Sequence, residues 1–311
     1  MLKQIKGLHH VTSIASGAQE NNAFFTKSLG LRRVKKTVNF DNPKLYHLYY
    51  GNEAGSPGTV ITYFPNPNAK ARQEGTGEVS VTRFSVPKGS ILWWEQYFTE
   101  SGITHLPRET TFGQAQLPFL GPDGENLALV EANEPRAPWR TPSVPEGHAI
   151  RGFHSVELRL KDTGPTKDLL RFMGYETAGQ EGNRTRLVCP AVSTANVIDL
   201  MEDPEAPAAQ QGAGSVHHIA FSVETREDQT EVQKTLTEAG WAVSSVKDRD
   251  YFWAIYFRSP EGILFEVATN EPGFARDEDA AHLGEQLRLP KQHEHLREEL
   301  LENYLEPISE P

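Results

Sequence analysis

Two tandem histidine pairs stand 208 residues apart in this 311-residue chain, in matching surroundings. The first is His9–His10 in GLHHVTSIA (Gly7 to Ala15), and the second is His217–His218 in SVHHIAFSV (Ser215 to Val223). A third segment, FRSPEGILFEVATNEPG (Phe257 to Gly273), carries Glu266 inside an otherwise apolar run. Two imidazoles and one carboxylate hold a divalent first-row metal through three protein atoms and leave other coordination positions open, the pattern of a catalytic rather than a structural site. A lone strand histidine is usually an ordinary packed residue. The duplicated context and the isolated acid weigh against that reading here.

Such distant residues need a fold that brings them together, and the chain repeats itself in a way that supplies one. Four segments share a plan of alternating strand, helix ending at Gly, then further strands closing at Pro/Gly turns. The first opens at Leu8, with a helix expected over Ala18 to Leu29 before Gly30 and strands LYHLYY (Leu45 to Tyr50) and TVITYF (Thr59 to Phe64). The second opens near Val79, with helix ILWWEQYFTESG and strands QAQLPFL and NLALVEA. The third opens at Gly152 with GFHSVELRL, continues through helix TKDLLRFMG and closes with NVIDLM. The fourth opens at Val216, has helix EDQTEVQKTLTEAG and closes with WAIYFRSPEGILFEVAT. Val232, Leu236 and Ala239 form the apolar face of that helix, and Gly240 ends it.

The expected fold class is therefore α+β: four βαβββ modules, paired into two domains of curved mixed sheets with helices outside. The Pro-rich stretch NEPRAPWRTPSVPEG (Asn133 to Gly147) reads as a connection between halves. The expected organisation is an N-terminal half (1–135), a linker (136–150), a C-terminal half (151–272) and a helical tail (273–311).

Matched positions show which modules carry the ligand set. GFHSV against GLHHV puts His154 beside His9 and Ser155 where His10 stands, while the second module has VTRFS and no histidine. Aligning back from Asn-Glu-Pro sets Leu129 against Glu266, and aligning back from the Pro of NVIDLMEDP sets Ile198 there. The first and last modules alone hold His10, His218 and Glu266, so those two are expected to pair. Neighbouring strand residues point to opposite faces. His10, Thr12 and Ile14 then share one face, as do His218, Ala220 and Ser222. The second His of each pair is taken as the ligand, and His9 and His217 are placed at the rim or behind the ligands.

These residues resemble the vicinal oxygen chelate superfamily, which includes glyoxalase I, fosfomycin-resistance proteins and extradiol ring-cleaving dioxygenases. More narrowly, HHVTSIA, LYHLYYGNEAGSPGTVITYFP and HHIAF…RDYFWAIYFRSPEGILFEVAT are similar to hydroquinone-type ring-cleaving dioxygenases, over residues 4 to about 290. The resemblance implies Fe(II) held by His10, His218 and Glu266, with Mn(II) as the second candidate metal. It also implies roles around the metal for His9, Thr12, His217, Arg249 and Tyr256. A small dihydroxylated aromatic and O₂ would be the partners. Tyr256 would hydrogen-bond a substrate oxygen, Arg249 would orient an anionic oxygen or ring substituent, and His9 or His217 would relay a proton. Phe40, Tyr63, Phe252 and Trp253 are expected to line an aromatic pocket, with His47 nearby.

Two other readings keep the same fold. One is a glyoxalase-like isomerase or thiol transferase using Ni(II), Zn(II) or Mn(II), which calls for a fourth protein ligand that ITYF does not offer. The other is a non-catalytic aromatic-binding protein.

Bulk properties narrow the class further. A formal net charge of −11 argues against a nucleic-acid groove or an anionic membrane surface. Cys189 is the only cysteine, expected as a buried strand residue, and it fits a reducing compartment. MLKQIKGLHHVTS lacks the apolar run of a signal peptide, and nothing approaches the roughly 18 apolar residues of a membrane span. A cytoplasmic protein is expected. The tail sequence QHEHLREELLENY reads as an amphipathic helix with Leu296, Leu300 and Leu301 inward, covering the cavity mouth or a homo-oligomer contact.

Overall fold

The computed structural model describes residues 1–309, so the last two residues of the expected tail lie outside it. Each repeat runs strand, helix, three strands. The first contains β1 (Leu8–Ala15), α1 (Ala18–Ala23), β2 (Arg32–Val38), β3 (Tyr46–Gly51) and β4 (Val60–Pro65). The second contains β5 (Glu78–Val86), α2 (Ile91–Ser101), β6 (Glu109–Thr111), β7 (Gln114–Leu120) and β8 (Asn126–Glu131). The third contains β9 (Gly152–Leu160), α3 (Thr163–Phe172), β10 (Glu176–Glu181), β11 (Arg184–Val188) and β12 (Val197–Glu202). The fourth contains β13 (Val216–Val223), α4 (Arg226–Glu238), β14 (Lys247–Asp248), β15 (Phe252–Arg258) and β16 (Leu264–Pro272).

In every repeat the opening strand lies parallel to the closing strand, and the remaining strands follow antiparallel. One module leaves an opening-strand edge unpaired, and two modules satisfy it by joining opening strands antiparallel. β1 joins β13, giving an 8-stranded sheet in the order β14-β15-β16-β13-β1-β4-β3-β2. β5 joins β9, giving a second in the order β10-β11-β12-β9-β5-β8-β7-β6. Each sheet thus takes one module from residues 1–135 and one from residues 151–272. The first and fourth modules share a sheet, as the distribution of candidate ligands leads one to expect.

The helices cover one apolar face of each curved sheet and leave the opposite, concave face as a cup. Phe25 packs on Tyr50 and Tyr63 beneath the first helix, and Trp94 and Phe98 pack with Phe119 beneath α2. Val232 and Leu236 of α4 are fully buried. A capping box between Thr225 and Asp228 starts α4, and Gly102 in the left-handed region (φ +71) ends α2. The first helix departs from expectation. It is α-helical only to Ala23 and continues as a wider π turn over Phe24–Ser28, where the Thr26 hydroxyl donates to the Asn22 carbonyl (2.6 Å).

The tail packs along the first module. Lys35 of β2 is wholly buried and bonds Asp277 (2.6 Å) and Glu278 of the tail, and Arg288 N donates to the Lys36 carbonyl. A 3₁₀ turn over Lys291–Leu296 precedes α5 (Arg297–Asn303). That turn shifts the helical phase. Leu300 is buried but Leu301 is 50% exposed rather than inward, and Leu305 and Ile308 are buried instead. Among the described residues no helix is long and apolar enough to cross a membrane.

Candidate metal centre

The three ligand candidates come from three adjacent strands. His10 lies on β1, His218 on β13 and Glu266 on β16, with Ala220 paired across to both His10 and Glu266. His218 Nε2 stands 2.9 Å from Glu266 Oε2, His10 Nε2 3.7 Å from the same oxygen, and the two Nε2 atoms 3.3 Å apart. One ligand atom from each lies within 4.8 Å of the others, and all three residues are buried.

Strict alternation does not hold at the tandem histidines. The β1–β13 register skips His9 and then His217, a bulge at each pair. A bulge sets two residues against one and re-aims a side chain. Here it brings neighbouring rings together instead of sending them to opposite faces. His9 Nδ1 is 2.9 Å from His10 Nδ1, and His217 Nδ1 is 2.8 Å from His218 Nδ1.

For a metal held at Nε2 of His10 and His218, this arrangement assigns the tautomers. A ligand imidazole that offers Nε2 to a metal carries its proton on Nδ1 and donates it outward. Nδ1 of His9 and of His217 must therefore accept, which requires both outer rings to be neutral. Burial provides that, pushing His9 down to about 3 and His217 down to about 4. Burial likewise lowers His218, against the pull of Glu266. Burial alone would raise Glu266, but the His10 and His218 imidazoles hold it well below the usual carboxylate range.

The donor set, two imidazoles and one carboxylate, suits a borderline divalent cation. Glu266 Oε1 is buried with no hydrogen-bond partner in the protein. A buried lone carboxylate oxygen is costly unless something coordinates it, so these residues fit a metal ion.

Beside the ligands lies a cavity of about 410 Å³. His217, Arg249 and Tyr256 line it with the three ligand candidates, and His47, Phe40 and Phe252 line it too. Tyr256 sits opposite Glu266 on the neighbouring strand, and its hydroxyl accepts from Arg249 Nε (3.2 Å). Burial, then the charge of Glu266, raises the Tyr256 hydroxyl well above its ordinary range, so it stays a donor.

Two expected residues lie outside the lining. His9 packs against His10 and Phe252 (ring centroids 5.1 and 5.4 Å), and Thr12 is wholly buried. A hydrogen-bonded row crosses the strands from Tyr49 Oη to His47 Nδ1 (2.8 Å), His47 Nε2 to Thr62 Oγ1 (2.9 Å), and Thr62 Oγ1 to Thr12 Oγ1 (2.8 Å). Both nitrogens of His47 are thereby used, and its ring is left as a wall.

Tyr63 and Trp253 do not line the cavity, contrary to expectation, because each lies one residue out of phase with a residue that does. Phe64 and Phe252 face the cavity, whereas Tyr63 packs under the first helix and bonds Glu125 (3.1 Å), and Trp253 stacks under Arg226. Sequence reasoning missed Tyr49 and Phe64, each two positions along from His47 or Thr62 on the same face. It also missed the NFDN loop (Asn39, Asp41, Asn42) at the mouth.

The second sheet repeats the geometry without the ligands. Its register skips Ser80 and His154, the counterparts of His9 and His217. The position matching Glu266 is Asp199, across from Glu157, and not Ile198; the alignment from the closing proline was one residue out. Asp199 is already engaged, pairing with Arg186 through two 2.8 Å bonds, while Arg83 donates to Glu157 (2.8 Å). Guanidinium groups supply the positive charge in that cup.

The chain is similar to known proteins over most of its length. The family model described as "Glyoxalase/Bleomycin resistance protein/Dioxygenase superfamily" matches residues 7–267. MhqO of Bacillus subtilis (strain 168), described as a candidate ring-cleaving dioxygenase, is 43% identical over 98% of this chain and 97% of its own. The chlorohydroquinone/hydroquinone 1,2-dioxygenase of Sphingobium indicum is 34% identical over 98% of each chain. A crystal structure of a candidate dioxygenase from Bacillus subtilis superposes with a TM-score of 0.95 at 43% identity, covering 99% of this chain and 98% of that one.

Proposed function

The chain belongs to the glyoxalase/bleomycin resistance protein/dioxygenase superfamily, and within it we propose that the protein is a non-haem Fe(II) dioxygenase of the extradiol type. It opens the ring of a hydroquinone or related dihydroxylated aromatic with O₂, as a cytoplasmic enzyme of aromatic-compound degradation. The observation that carries this reading is the buried His10–His218–Glu266 triangle with its partnerless Glu266 oxygen beside an aromatic-walled cavity.

His10, His218 and Glu266 would hold the ion. When bound, Fe(II) acidifies a phenolic hydroxyl and provides a path for electrons between the ring and O₂. The protein supplies binding, orientation and proton control. Phe40, Phe64 and Phe252 with the His47 ring form walls that take a flat ring and exclude water. Tyr256, kept protonated, donates its hydroxyl hydrogen to a substrate oxygen, and Arg249 fixes the direction of that hydroxyl. His217 accepts the Nδ1 proton of His218 and keeps its own Nε2–H for the cavity, placing one proton at a defined atom beside the substrate. His9 and Thr12 act behind the ligands, the first through His10 and the second through Thr62.

A glyoxalase-like isomerase would need a fourth protein ligand. The position in the first module that matches Glu266 holds Thr62, whose hydroxyl bonds His47 and Thr12. This favours the three-ligand chemistry.

The test is anaerobic loading with Fe(II), addition of a panel of substituted hydroquinones, and measurement of O₂ uptake. Uptake with ring-opened product is expected. Iron bound in stoichiometric amount with no uptake across the panel overturns the reading.

A further inference from the structure

Among the described residues lining the cavity, Arg249 is the sole permanent cation, and it is already engaged. Its Nη2 donates to Asp41 Oδ2 at 3.0 Å across the cavity mouth, and its Nε donates to Tyr256. Asp41 belongs to the loop between β2 and β3, and that loop is built to hold it there. Asn39 Oδ1 accepts from the backbone N–H groups of Asp41 (2.8 Å) and Asn42 (3.0 Å). Asn39 N donates to the Leu45 carbonyl, and Leu45 N to the Asn42 carbonyl. From the other side the tail reaches in, with His293 Nε2 3.0 Å from the Phe40 carbonyl. The loop backbone is thus tied from both flanks, and Asp41 is left to meet Arg249.

We infer that Asp41 is a specificity-determining residue: by occupying Arg249, its carboxylate makes the cavity select neutral dihydroxylated rings and reject rings bearing a carboxylate. This rests on the dioxygenase reading above. The pair itself contributes little to stability, because Asp41 is 78% exposed. Selectivity is a different quantity. A ring carboxylate entering between Phe40, Phe64 and Phe252 meets the Asp41 carboxylate at the mouth and a single guanidinium that is already paired with it. Because Asp41 is mostly exposed, its direct repulsion is screened, and the selectivity comes from withholding the Arg249 guanidinium from an incoming anion. A neutral ring carrying chlorine in place of the carboxylate meets no such penalty. Asp41→Asn keeps the shape of the side chain and the backbone bonds of the loop, and it frees Arg249 for an incoming anion.

The experiment compares anaerobic binding of chlorohydroquinone and 2,5-dihydroxybenzoate to the Fe(II)-loaded protein by calorimetry. Wild type, Asp41→Asn and Asp41→Ala are compared with Asp248→Asn, which removes an equal charge outside the cavity lining. Both Asp41 variants are expected to shift the affinity ratio toward 2,5-dihydroxybenzoate by about tenfold or more, the size of one charge-assisted contact. Asp248→Asn should hold the ratio within about twofold, because Asp41 rather than Asp248 lines the cavity and pairs with Arg249. A ratio unchanged in the Asp41 variants, with chlorohydroquinone still bound and cleaved, overturns this inference and leaves the dioxygenase reading standing. Failure of the iron-loaded wild type to bind chlorohydroquinone or to consume O₂ with any hydroquinone overturns both.

Discussion

His10 and His218, 208 residues apart in the chain, bring their Nε2 atoms within 3.3 Å of one another, and Glu266 Oε2 lies within 3.7 Å of both. Three donor atoms so close, all buried, stay together at low cost only with a cation among them. Removing any one should therefore release the metal. His218→Ala and Glu266→Gln are each expected to weaken Fe(II) affinity by about 100-fold or more. Anaerobic equilibrium dialysis checks this; a variant that still binds one iron per chain with wild-type affinity would remove that residue from the ligand set.

Metal binding should also appear as stability. Iron at about 100 times its dissociation constant adds about 2.7 kcal/mol to a folded state that alone binds it. Thermal unfolding should shift upward when Fe(II) is added to chelator-treated wild type, and should not shift in Glu266→Gln.

The outer histidines make a separate prediction. His9→Phe preserves an aromatic ring beside Phe252 but cannot accept the His10 Nδ1 proton. Affinity for Fe(II) should fall by about 10- to 100-fold, the usual effect of losing an outer partner. His9→Gln, which retains an acceptor, should recover part of the loss. Equal affinities for the two variants would mean that the Nδ1–Nδ1 contact does nothing for the ligand.

His154 is the control from the second sheet, buried, with Nδ1 3.0 Å from Ser155 Oγ. His154→Phe should leave iron binding and turnover intact. It should also alter acid stability. Burial, then Arg186 and Arg83, lowers native His154 to about 3, while the unfolded residue titrates near 6.5. Between these values the unfolded chain holds the extra proton, so stability falls as pH drops from 6.5 toward 3, by up to about 4 kcal/mol from this residue. Urea unfolding of wild type against His154→Phe across pH 4 to 7 should show a smaller slope in the variant.

Lys35 anchors the tail from inside β2 through Asp277 and Glu278, with its ammonium 4.6 Å from the centre of the Tyr251 ring. Lys35→Met removes the nearer of two cations at buried Glu278 and leaves Arg288 Nε at 3.7 Å, so the cost should stay below the roughly 3–5 kcal/mol of a carboxylate left wholly unpaired. Limited proteolysis should then cut within residues 273–309 sooner than in wild type. An unchanged cleavage pattern would mean that the tail is held by its apolar residues alone.

Much of this was legible in the chain. Repeated His-His in a repeated strand context, and one acid in an apolar strand, marked His10, His218 and Glu266. Period-two alternation and Gly-ended helices marked four βαβββ modules, and the uneven distribution of ligands implied that the first and fourth modules share a sheet. Errors arose where spacing had to be counted through irregular backbone. Alternation put His9 and His217 away from their neighbours, yet bulges turned each pair together. A gapless alignment chose Ile198 where strand register puts Asp199. Tyr63 and Trp253 were one residue out of phase with Phe64 and Phe252.

Types and periodicities are local properties, written in the order of residues, and they were sufficient to specify the candidate donor set and the modules. Register across strands, by contrast, is fixed by hydrogen bonds between segments that can be 200 residues apart, and a single bulge changes which faces meet. Only the folded chain could bring Asp41 to Arg249, turn the His47 ring into a wall, and fill the second cup with guanidinium groups instead of metal ligands. Those contacts join side chains that no sequence period relates, so they were decided by packing.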